Sequence, residues 1–178
     1  MAHPAQQDFC ERVRGQWGAY FRGKRVLDCG SLDINGSNRP LFLDCVYTGV
    51  DVGPGPNVDV VSPIHEVTLP EGTFDTIVST ECFEHDAHYE ASLRKIVRLL
   101  KPGGLFFFTC ASTGREEHGT ARCHPGSSPL TVKLGWDHYK NLTEEDIRVA
   151  LGEPFPFDKY HFEYNPNGGD LYFWGIKA

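Results

Sequence analysis

The sequence contains no long run of apolar residues. The roughly 18 or more consecutive apolar residues that a transmembrane helix requires do not occur. Residues 1–17, MAHPAQQDFCERVRGQW, also lack the apolar centre of a signal peptide. Phe9, Val13 and Trp17 instead recur every fourth residue, which predicts a short amphipathic helix. We therefore expect a cytoplasmic protein with no membrane partner.

Cysteine pairs and positive charge are also scarce. The six cysteines are scattered and form no C-x-x-C pair, which favours free thiols in a reducing compartment over a disulfide framework. Lys and Arg number 17 against 24 Asp and Glu, for a net charge of −7. This balance argues against a broad phosphate-binding surface, and so against duplex nucleic acid as a partner. The sequence carries no indication of oligomeric state.

What the chain does contain is one α/β pattern. Its 178 residues, 40% apolar and 23% charged, fit a single globular domain. Strands are predicted at 25–27, 46–50, 58–61, 74–80 and 105–110, helices at 87–100 and 143–151, and a closing antiparallel hairpin at 157–176. Pro102 and the two glycines after it are predicted to end the first of these helices, and Thr143 to cap the second. Residues 112–140 show little periodicity.

The segment from Lys24 to Asp51 organises the rest of the chain. It contains a strand, a turn of small and polar residues (GSLDING), a short and poorly defined helix, and a second strand that ends on an acid. In a doubly wound fold, such a turn lets backbone N–H groups approach a nucleotide, and such an acid reaches the ribose hydroxyls. Asp51 lies 23 positions after Asp28, near the offset of about 20 expected for that acid.

The turn argues for a particular nucleotide. A dinucleotide site needs G-x-G-x-x-G, but Leu32 stands where the second glycine should be, and Asp28 and Asp33 flank the place of the pyrophosphate. Negative charge there repels phosphate and suits a ligand with an ammonium group and a sulfonium. S-adenosylmethionine has both and no phosphate, so it is favoured over NAD. The chain also lacks the Tyr-x-x-x-Lys pair of many nicotinamide-dependent enzymes.

An ordered set of motifs now supports a family resemblance. VLDCGSLDINGS resembles the first motif of class I S-adenosylmethionine-dependent methyltransferases, with G-S-x-D-x-N-G in place of the usual glycine pair. YTGVDVGPGPNVDVV is similar to their second and third motifs. FDTIVSTECFEH and LLKPGGLFFFTC are similar to the fourth and fifth, in the style of the "type 11" branch. The resemblance covers about residues 24–110. It implies a Rossmann-like, mostly parallel seven-stranded sheet that ends in the antiparallel hairpin.

The cofactor is expected to lie along the carboxyl edge of this sheet. Asp51 is the predicted ribose ligand, Gly30 permits close backbone approach, and Ile64 is predicted to pack on the adenine. The full set of predicted cofactor-binding residues is Asp28, Gly30, Ser31, Asp33, Asn35, Gly36, Asp51, Val52, Ile64, Thr80 and Glu81. For Asp33 and Asn35 a direct contact and a purely structural place in the loop are equally open.

The acceptor side is expected beyond the fourth strand. Glu84 and His85 are the candidate catalytic residues, because a histidine suits proton removal near neutral pH and a glutamate can polarise it. The alternative is that Glu84 caps the next helix and His85 flanks the cleft. His118, His138 and Tyr139 in the following loop are candidate acceptor contacts. His118, Cys123 and His124 match no standard zinc spacing, so no metal is predicted.

The sequence thus predicts a single domain in four parts: an N-terminal helix (1–23), a cofactor-binding half (24–110), a lid or substrate loop (111–142) and a C-terminal helix and hairpin (143–178). The predicted function is methyl transfer from S-adenosylmethionine to a small-molecule or sugar-like acceptor. Two alternatives stay open: a non-catalytic module that keeps the fold and binds a cofactor or a protein, and, more remotely, an NAD-dependent oxidoreductase.

Overall fold

Seven strands form one sheet in the computed structural model, which describes residues 4–178. The strands are β1 (Arg25–Cys29), β2 (Val46–Asp51), β3 (Val60–Val61), β4 (Phe74–Thr80), β5 (Leu100–Ala111), β6 (Phe157–Asn165) and β7 (Asp170–Lys177). Their order across the sheet is β3-β2-β1-β4-β5-β7-β6. The first five strands pair in parallel, and β7 pairs antiparallel with both β5 and β6. The predicted sheet with its closing hairpin is confirmed.

The register brings the carboxyl ends of the central strands to one edge. Cys29 of β1 lies opposite Val50 of β2 and Ser79 of β4, and Thr80 lies opposite Thr109 of β5. The strand order also reverses between β1 and β4, because β2 and β3 lie to one side and β4 and β5 to the other. A crevice at such a switch point is where open α/β sheets bind ligands.

Helices cover the two faces unequally. They are α1 (Pro4–Gln16), α2 (Tyr89–Leu99), α3 (Pro129–Lys133) and α4 (Glu144–Leu151). Leu93 and Ile96 of α2 and Ile147 of α4 pack in the core on one face. Phe9 and Val13 of α1 pack in the core on the other. The predicted apolar face of α1 is confirmed at these two residues.

Strand β5 lies between the two cores. Phe106, Phe107 and Phe108 are all fully buried, with Phe106 and Phe108 on the α2 face and Phe107 on the α1 face. Alternate side chains of a strand point to opposite faces, so a consecutive apolar run requires cover on both. Burying each ring contributes on the order of 1.5–3 kcal/mol relative to exposure.

Three of the predictions about helices were wrong. Helix α1 ends at Gln16, so Trp17 lies just beyond it, packed edge-on against Trp174 at a ring-centroid distance of 5.1 Å. The helix expected between β1 and β2 is only a 3₁₀ turn at Arg39–Leu41, because Pro40 at its start and the glycine and polar residues before it disfavour an α-helix. Residues 1–3 of the predicted first segment lie outside the described residues.

The third error concerns the end of α2, which comes before Pro102. The chain turns extended at Leu100, where β5 begins and pairs with Phe74. The Lys177 ammonium donates to the carbonyls of Val97 and Leu100 at 2.7 and 2.8 Å, and so satisfies acceptors at the helix end. Sheet pairing and a lysine from β7 therefore end α2, rather than the proline and the glycines.

The prediction for α4 is confirmed in detail. The Thr143 hydroxyl accepts a hydrogen bond from the Asp146 backbone N–H, and the Asp146 carboxylate accepts one from the Thr143 backbone N–H at 2.9 Å. This reciprocal capping box satisfies two donors at the helix start. Between β5 and α4, the predicted structureless loop contains the short helix α3 and a 3₁₀ turn at Pro125–Ser127. Within residues 4–178, no helix combines the length and apolar character that a membrane span requires.

Candidate functional site

A cleft opens at the switch point of the sheet. It contains about 680 Å³ of space, a volume that includes open solvent at its mouth. Its floor comes from the ends of β1, β2 and β4, and its cover comes from α3 and the residues beside it. The lining residues that carry the argument below are Gly30, Leu32, Asp51, Val52, Ile64, Thr80, Glu81, His85, Leu130 and Trp136. Six of the eleven predicted cofactor-binding residues are among the residues that line this cleft.

Gly30 begins the loop after β1 and has a left-handed backbone conformation, which favours glycine. Its φ is +77°, and a Cβ built there would lie 2.5 Å from the Cys82 Sγ. Its N–H donates to the Val50 carbonyl at 2.9 Å. The glycine therefore lets this loop lie directly against the turn after β4.

Asp51 holds this loop from the end of β2. One carboxylate oxygen accepts the backbone N–H of Leu32 at 2.9 Å, and the other accepts that of Val52 at 2.8 Å. Burial raises the pKa of Asp51, and these two N–H groups oppose the rise. Each carboxylate oxygen has a second lone pair, so the residue can still accept hydrogen bonds from ligand hydroxyls.

Asp28 lies behind the loop instead of in the cleft. The Tyr47 hydroxyl donates to its carboxylate at 2.6 Å, and Asn57 joins it to the Ser31 carbonyl through bonds of 3.4 and 2.9 Å. Burial raises the pKa of Asp28 to about 6, while the Tyr47 hydrogen bond opposes the rise. Asp28 therefore supports the loop from the side that faces away from the cleft. Ser31 is also buried.

The outer part of the loop turns away from the cleft. Asp33 accepts the Gly36 N–H at 2.7 Å, which closes a local turn. As formed by residues 4–178, the cleft is lined by Ile34 but not by Asp33, Asn35 or Gly36. A cofactor contact for these three residues stays a prediction without geometric support.

The apolar end of the cleft contains a residue that the sequence analysis missed. Val52 and Ile64 lie there, as expected, and Leu130 of α3 covers them from the lid. A Cβ at Gly53 would lie 2.9 Å from the Leu130 Cδ2, so α3 packs directly on the loop after β2. Residues 112–140 have no periodicity, and no sequence signal marked Leu130.

Thr80 and Glu81 form the opposite wall. The Thr80 hydroxyl accepts a hydrogen bond from the Asn38 amide at 3.1 Å. Glu81 has a positive φ of 51°, a sparsely populated conformation for a non-glycine residue. Burial, followed by the charge of Asp170, raises the pKa of Glu81 to about 7. Strain and a buried acid at one position are features that cluster at functional sites.

A second cleft adjoins the first beneath the lid. Glu81, His85 and Ser127 line both clefts, and Arg115, His118 and His124 line only the second. His85 is 4% exposed. Burial, followed by the neighbouring His118, lowers the pKa of His85 to about 3, so its ring is neutral near pH 7.

Glu84 lies beside His85 but is fully enclosed, with 0% exposure. Burial, followed by the charge of Glu81, raises the pKa of Glu84 well above its usual range. Its side chain lines neither cleft as these are formed by the described residues. A direct contact with a substrate therefore has no geometric support, and the catalytic role of Glu84 stays a prediction.

The three predicted acceptor contacts lie in different places. The His118 and Tyr139 rings pack against each other at a centroid distance of 5.0 Å, and both pack against His85, at 5.0 and 5.6 Å. His118 lines the second cleft. Tyr139 and His138 line neither cleft within residues 4–178, and burial lowers the pKa of His138.

Comparison with known proteins agrees with this architecture. A family model described as "methyltransferase domain" matches residues 36–108, a segment that begins at Gly36, the last residue of the variant glycine loop. The fold is that of a class I methyltransferase. None of the curated proteins matches the sequence.

Two solved methyltransferase structures illustrate the likeness. The 1,6-didemethyltoxoflavin N1-methyltransferase of Burkholderia thailandensis, with bound 1,6-didemethyltoxoflavin and S-adenosylhomocysteine, superposes with a TM-score of 0.66 at 20% identity, over 98% of this chain and 79% of that one. Phosphoethanolamine N-methyltransferase 2 of Haemonchus contortus gives a TM-score of 0.67 at 16% identity, over 100% of this chain and 54% of that one. The present chain therefore spans about half the length of the Haemonchus enzyme.

Proposed function

We propose that this protein transfers the methyl group of S-adenosylmethionine to a small-molecule or sugar-like acceptor. The observation that carries the proposal is the position of Asp51, which ends β2 at the switch point and lines the cleft together with Gly30. Charge-assisted hydrogen bonds from ribose hydroxyls to this carboxylate contribute on the order of 1.5–3 kcal/mol. The methyltransferase-domain match and the class I fold support the same cofactor.

Three parts of the cleft suit three parts of this cofactor. Val52, Ile64 and Leu130 provide an apolar slot for the adenine. Asp51 accepts from the ribose. Gly30 and Glu81 face the remaining end, where a carboxylate suits the ammonium group of the methionine part. Leu32 lines the cleft where a dinucleotide site needs a glycine, which disfavours NAD.

The second cleft is the proposed acceptor site. His85 lines both clefts, so a methyl group that leaves the first cleft towards His85 meets an acceptor held in the second. Methyl transfer is an in-line displacement at carbon, and holding the two reactants close and aligned supplies much of the rate enhancement. We assign His118 to the wall of this acceptor site, with the Tyr139 ring packed against it as a support.

A small acceptor fits the charge and the comparisons. The chain carries a net charge of −7, which argues against the broad basic surface that duplex nucleic acid requires. The Burkholderia structure is described with 1,6-didemethyltoxoflavin, and another structure of the Haemonchus enzyme is described with phosphomonomethylethanolamine; both are small molecules. We propose a cytoplasmic location from the reduced state expected of its six free cysteines.

Calorimetric titration tests the cofactor assignment. S-adenosylmethionine and S-adenosylhomocysteine are expected to bind the wild type, and NAD is not. Asp51→Ala is expected to weaken both adenosyl ligands about tenfold or more, where each decade corresponds to about 1.4 kcal/mol. Asp44→Ala is the matched control, because it removes the same charge near the opposite end of β2, where Asp44 is 78% exposed and pairs with Arg22.

The outcomes separate the alternatives. Binding of NAD in preference to the adenosyl ligands would favour an oxidoreductase. Binding of S-adenosylmethionine with no methyl transfer to any member of a broad small-molecule panel would favour a non-catalytic module. An Asp51→Ala variant that binds as tightly as Asp44→Ala would remove Asp51 from the proposed site.

A further inference from the structure

Three potential metal ligands meet beside the acceptor cleft. Glu84 and His85 come from the turn after β4, and His118 comes from the lid. Each offers one ligand atom, and these three atoms all lie within 4.8 Å of one another. Ligand atoms around a tetrahedral Zn²⁺ with bonds of about 2.1 Å lie roughly 3.4 Å apart. Metal binding therefore requires the three ligand atoms to move closer together than their present separations of up to 4.8 Å.

Glu84 is the member of this cluster that most needs a partner. It is fully buried, and neither of its carboxylate oxygens accepts a well-formed hydrogen bond from residues 4–178, with weaker contacts to the backbone N–H groups of Glu84 and Ala111. A buried acceptor left unsatisfied costs about 1–3 kcal/mol, and more when it is charged. The Glu81 Oε1 beside it also lacks a partner within the described chain. A cation bound between two adjacent buried carboxyl groups would stabilise the fold, because it would interact with oxygens that otherwise accept no well-formed hydrogen bond within the described chain.

The two imidazoles are arranged to act as ligands. The His118 Nδ1 lies 3.0 Å from the Glu116 carbonyl, a contact in which Nδ1–H is the donor and Nε2 carries the lone pair. The His85 Nδ1 is buried without a hydrogen-bond partner in the described part of the chain. A backbone carbonyl that orients the far nitrogen is the usual outer support of a metal-bound histidine, and it sets the tautomer.

Further contacts fix the position of the lid (residues 111–142) relative to the turn after β4. The Lys140 backbone N–H donates to the Glu84 carbonyl at 2.9 Å. The Tyr139 ring packs on both imidazoles, and its hydroxyl donates to the same Glu116 carbonyl at 3.1 Å. A Cβ at Gly119 would lie 2.5 Å from the His85 Cε1, so the lid backbone lies directly against this ring. The site is therefore built from two segments that are fixed to each other.

We propose that Glu84, His85 and His118 bind a first-row divalent transition-metal ion. Two imidazoles and one carboxylate form the donor set that suits Zn²⁺, Fe²⁺, Mn²⁺ and Co²⁺, whereas Ca²⁺ and Mg²⁺ prefer oxygen ligands throughout. The spacing argument against metal considered His118 together with Cys123 and His124. Neither of these belongs to the cluster, and the Cys123 thiol donates instead to the Glu117 carbonyl. That argument did not consider Glu84 and His85, the two ligands from the turn after β4.

A role for the ion rests on the proposed function. Three protein ligands leave at least one coordination position for another group. We place an oxygen of the acceptor there. An acceptor hydroxyl that binds the ion releases its proton to solvent, and the resulting oxygen attacks the sulfonium methyl carbon. The carbon–sulfur bonding pair then stays on sulfur in S-adenosylhomocysteine. A metal ion at this position therefore favours acceptors that are methylated on oxygen.

Titration of the chelator-treated protein with Co²⁺ tests the site without any need for activity. The wild type is expected to bind one equivalent and to develop the visible d–d absorption of Co²⁺ in a site with nitrogen and oxygen ligands, and Zn²⁺ is expected to abolish the signal by displacing it. Glu84→Gln and His118→Ala are expected to weaken Co²⁺ binding at least tenfold. His124→Ala is the matched control, because it removes a histidine of the same cleft from outside the ligand set.

Several results would overturn the site. They are a wild type that binds no Co²⁺ saturably, variants at Glu84 and His118 that bind like the wild type, or a His124→Ala variant that loses as much affinity as they do. If Glu84→Gln melts below the titration temperature, His118→Ala decides, because His118 is only partly buried. Binding of S-adenosylmethionine is measured separately in the presence of chelator. Cofactor binding without Co²⁺ binding rejects the metal site alone, and the reverse result rejects the proposed function alone.

Discussion

Gly30 and Cys82 lie so close together that a side chain does not fit at position 30. A Cβ on Gly30 would lie 2.5 Å from the Cys82 Sγ and 2.6 Å from its Cβ. The contact joins the loop after β1 to the turn after β4, and both segments line the cleft. The width of the proposed cofactor site therefore depends on the close approach of these two segments.

Gly30→Ala is expected to weaken S-adenosylmethionine binding tenfold or more in calorimetry. The added methyl group pushes the loop away from Cys82 and displaces the Leu32 N–H from Asp51. Overpacking of this kind costs about 1–3 kcal/mol. Cys82→Ala is not expected to rescue the variant, because the Cys82 Cβ is itself part of the overlap.

Gly23→Ala separates the overlap from backbone strain. Gly23 also has a positive φ, +63°, but a Cβ there would meet nothing within 4 Å. Both substitutions force alanine into a left-handed conformation, and only the one at Gly30 creates a clash. Equal cofactor affinities in the two variants would show that the contact with Cys82 does not shape the site.

The individual strands could be predicted from the sequence because their signals are local, whereas their arrangement in one seven-stranded sheet was implied by the resemblance to class I methyltransferases. Strand β4 was predicted with its observed bounds from an apolar run between a turn and a polar segment. The capping box at Thr143 and the closing hairpin follow from residues a few positions apart. The switch point, and with it the place of Gly30, Asp51 and Thr80, follows from the order of strands in a doubly wound fold.

The remaining features depend on contacts between distant residues. The end of α2 is set by Lys177, which is far along the chain. Leu130 reaches the cleft only because α3 folds back over Gly53. The enclosure of Glu84 and its proximity to His118 arise when the lid packs on the turn after β4. No local pattern of periodicity, capping or turn residues encodes these three relationships.

The lid contact gives a second prediction. Leu130→Ala is expected to weaken S-adenosylmethionine binding about tenfold, because the side chain covers the apolar end of the cleft and the lost contact amounts to about 1.5 kcal/mol. The free energy of unfolding is expected to change little, because Leu130 is only partly buried without ligand. Titration calorimetry and urea denaturation measure the two effects.

Leu134→Ala is the matched control for the lid. Leu134 follows directly after α3, is 51% exposed and does not line the cleft as the described residues form it. Its substitution removes the same side-chain volume without uncovering the site. If the two variants bind the cofactor equally, α3 does not close over the adenine.

Asp28 gives a prediction about pH. Burial raises its pKa from 3.8 to about 6 in the folded state. Between these values the native state binds more protons than the unfolded state, so the Asp28 contribution makes the free energy of unfolding fall as pH rises from about 4 to 6. The contribution is fully present below pH 4 and lost above pH 6. A shift of this size corresponds to at most about 3 kcal/mol.

Asp28→Asn is expected to remove this part of the pH dependence. The asparagine oxygen still accepts the Tyr47 hydroxyl bond, so the support beneath the loop is kept while the buried charge is lost. Urea denaturation at pH 4.5 and 7.5 should show that the variant gains stability relative to the wild type as pH rises, by about 1–3 kcal/mol. A constant difference between the two proteins at both pH values would mean that Asp28 titrates as it does in the unfolded chain. The loop after β1 would then be supported by a fully charged carboxylate throughout this range.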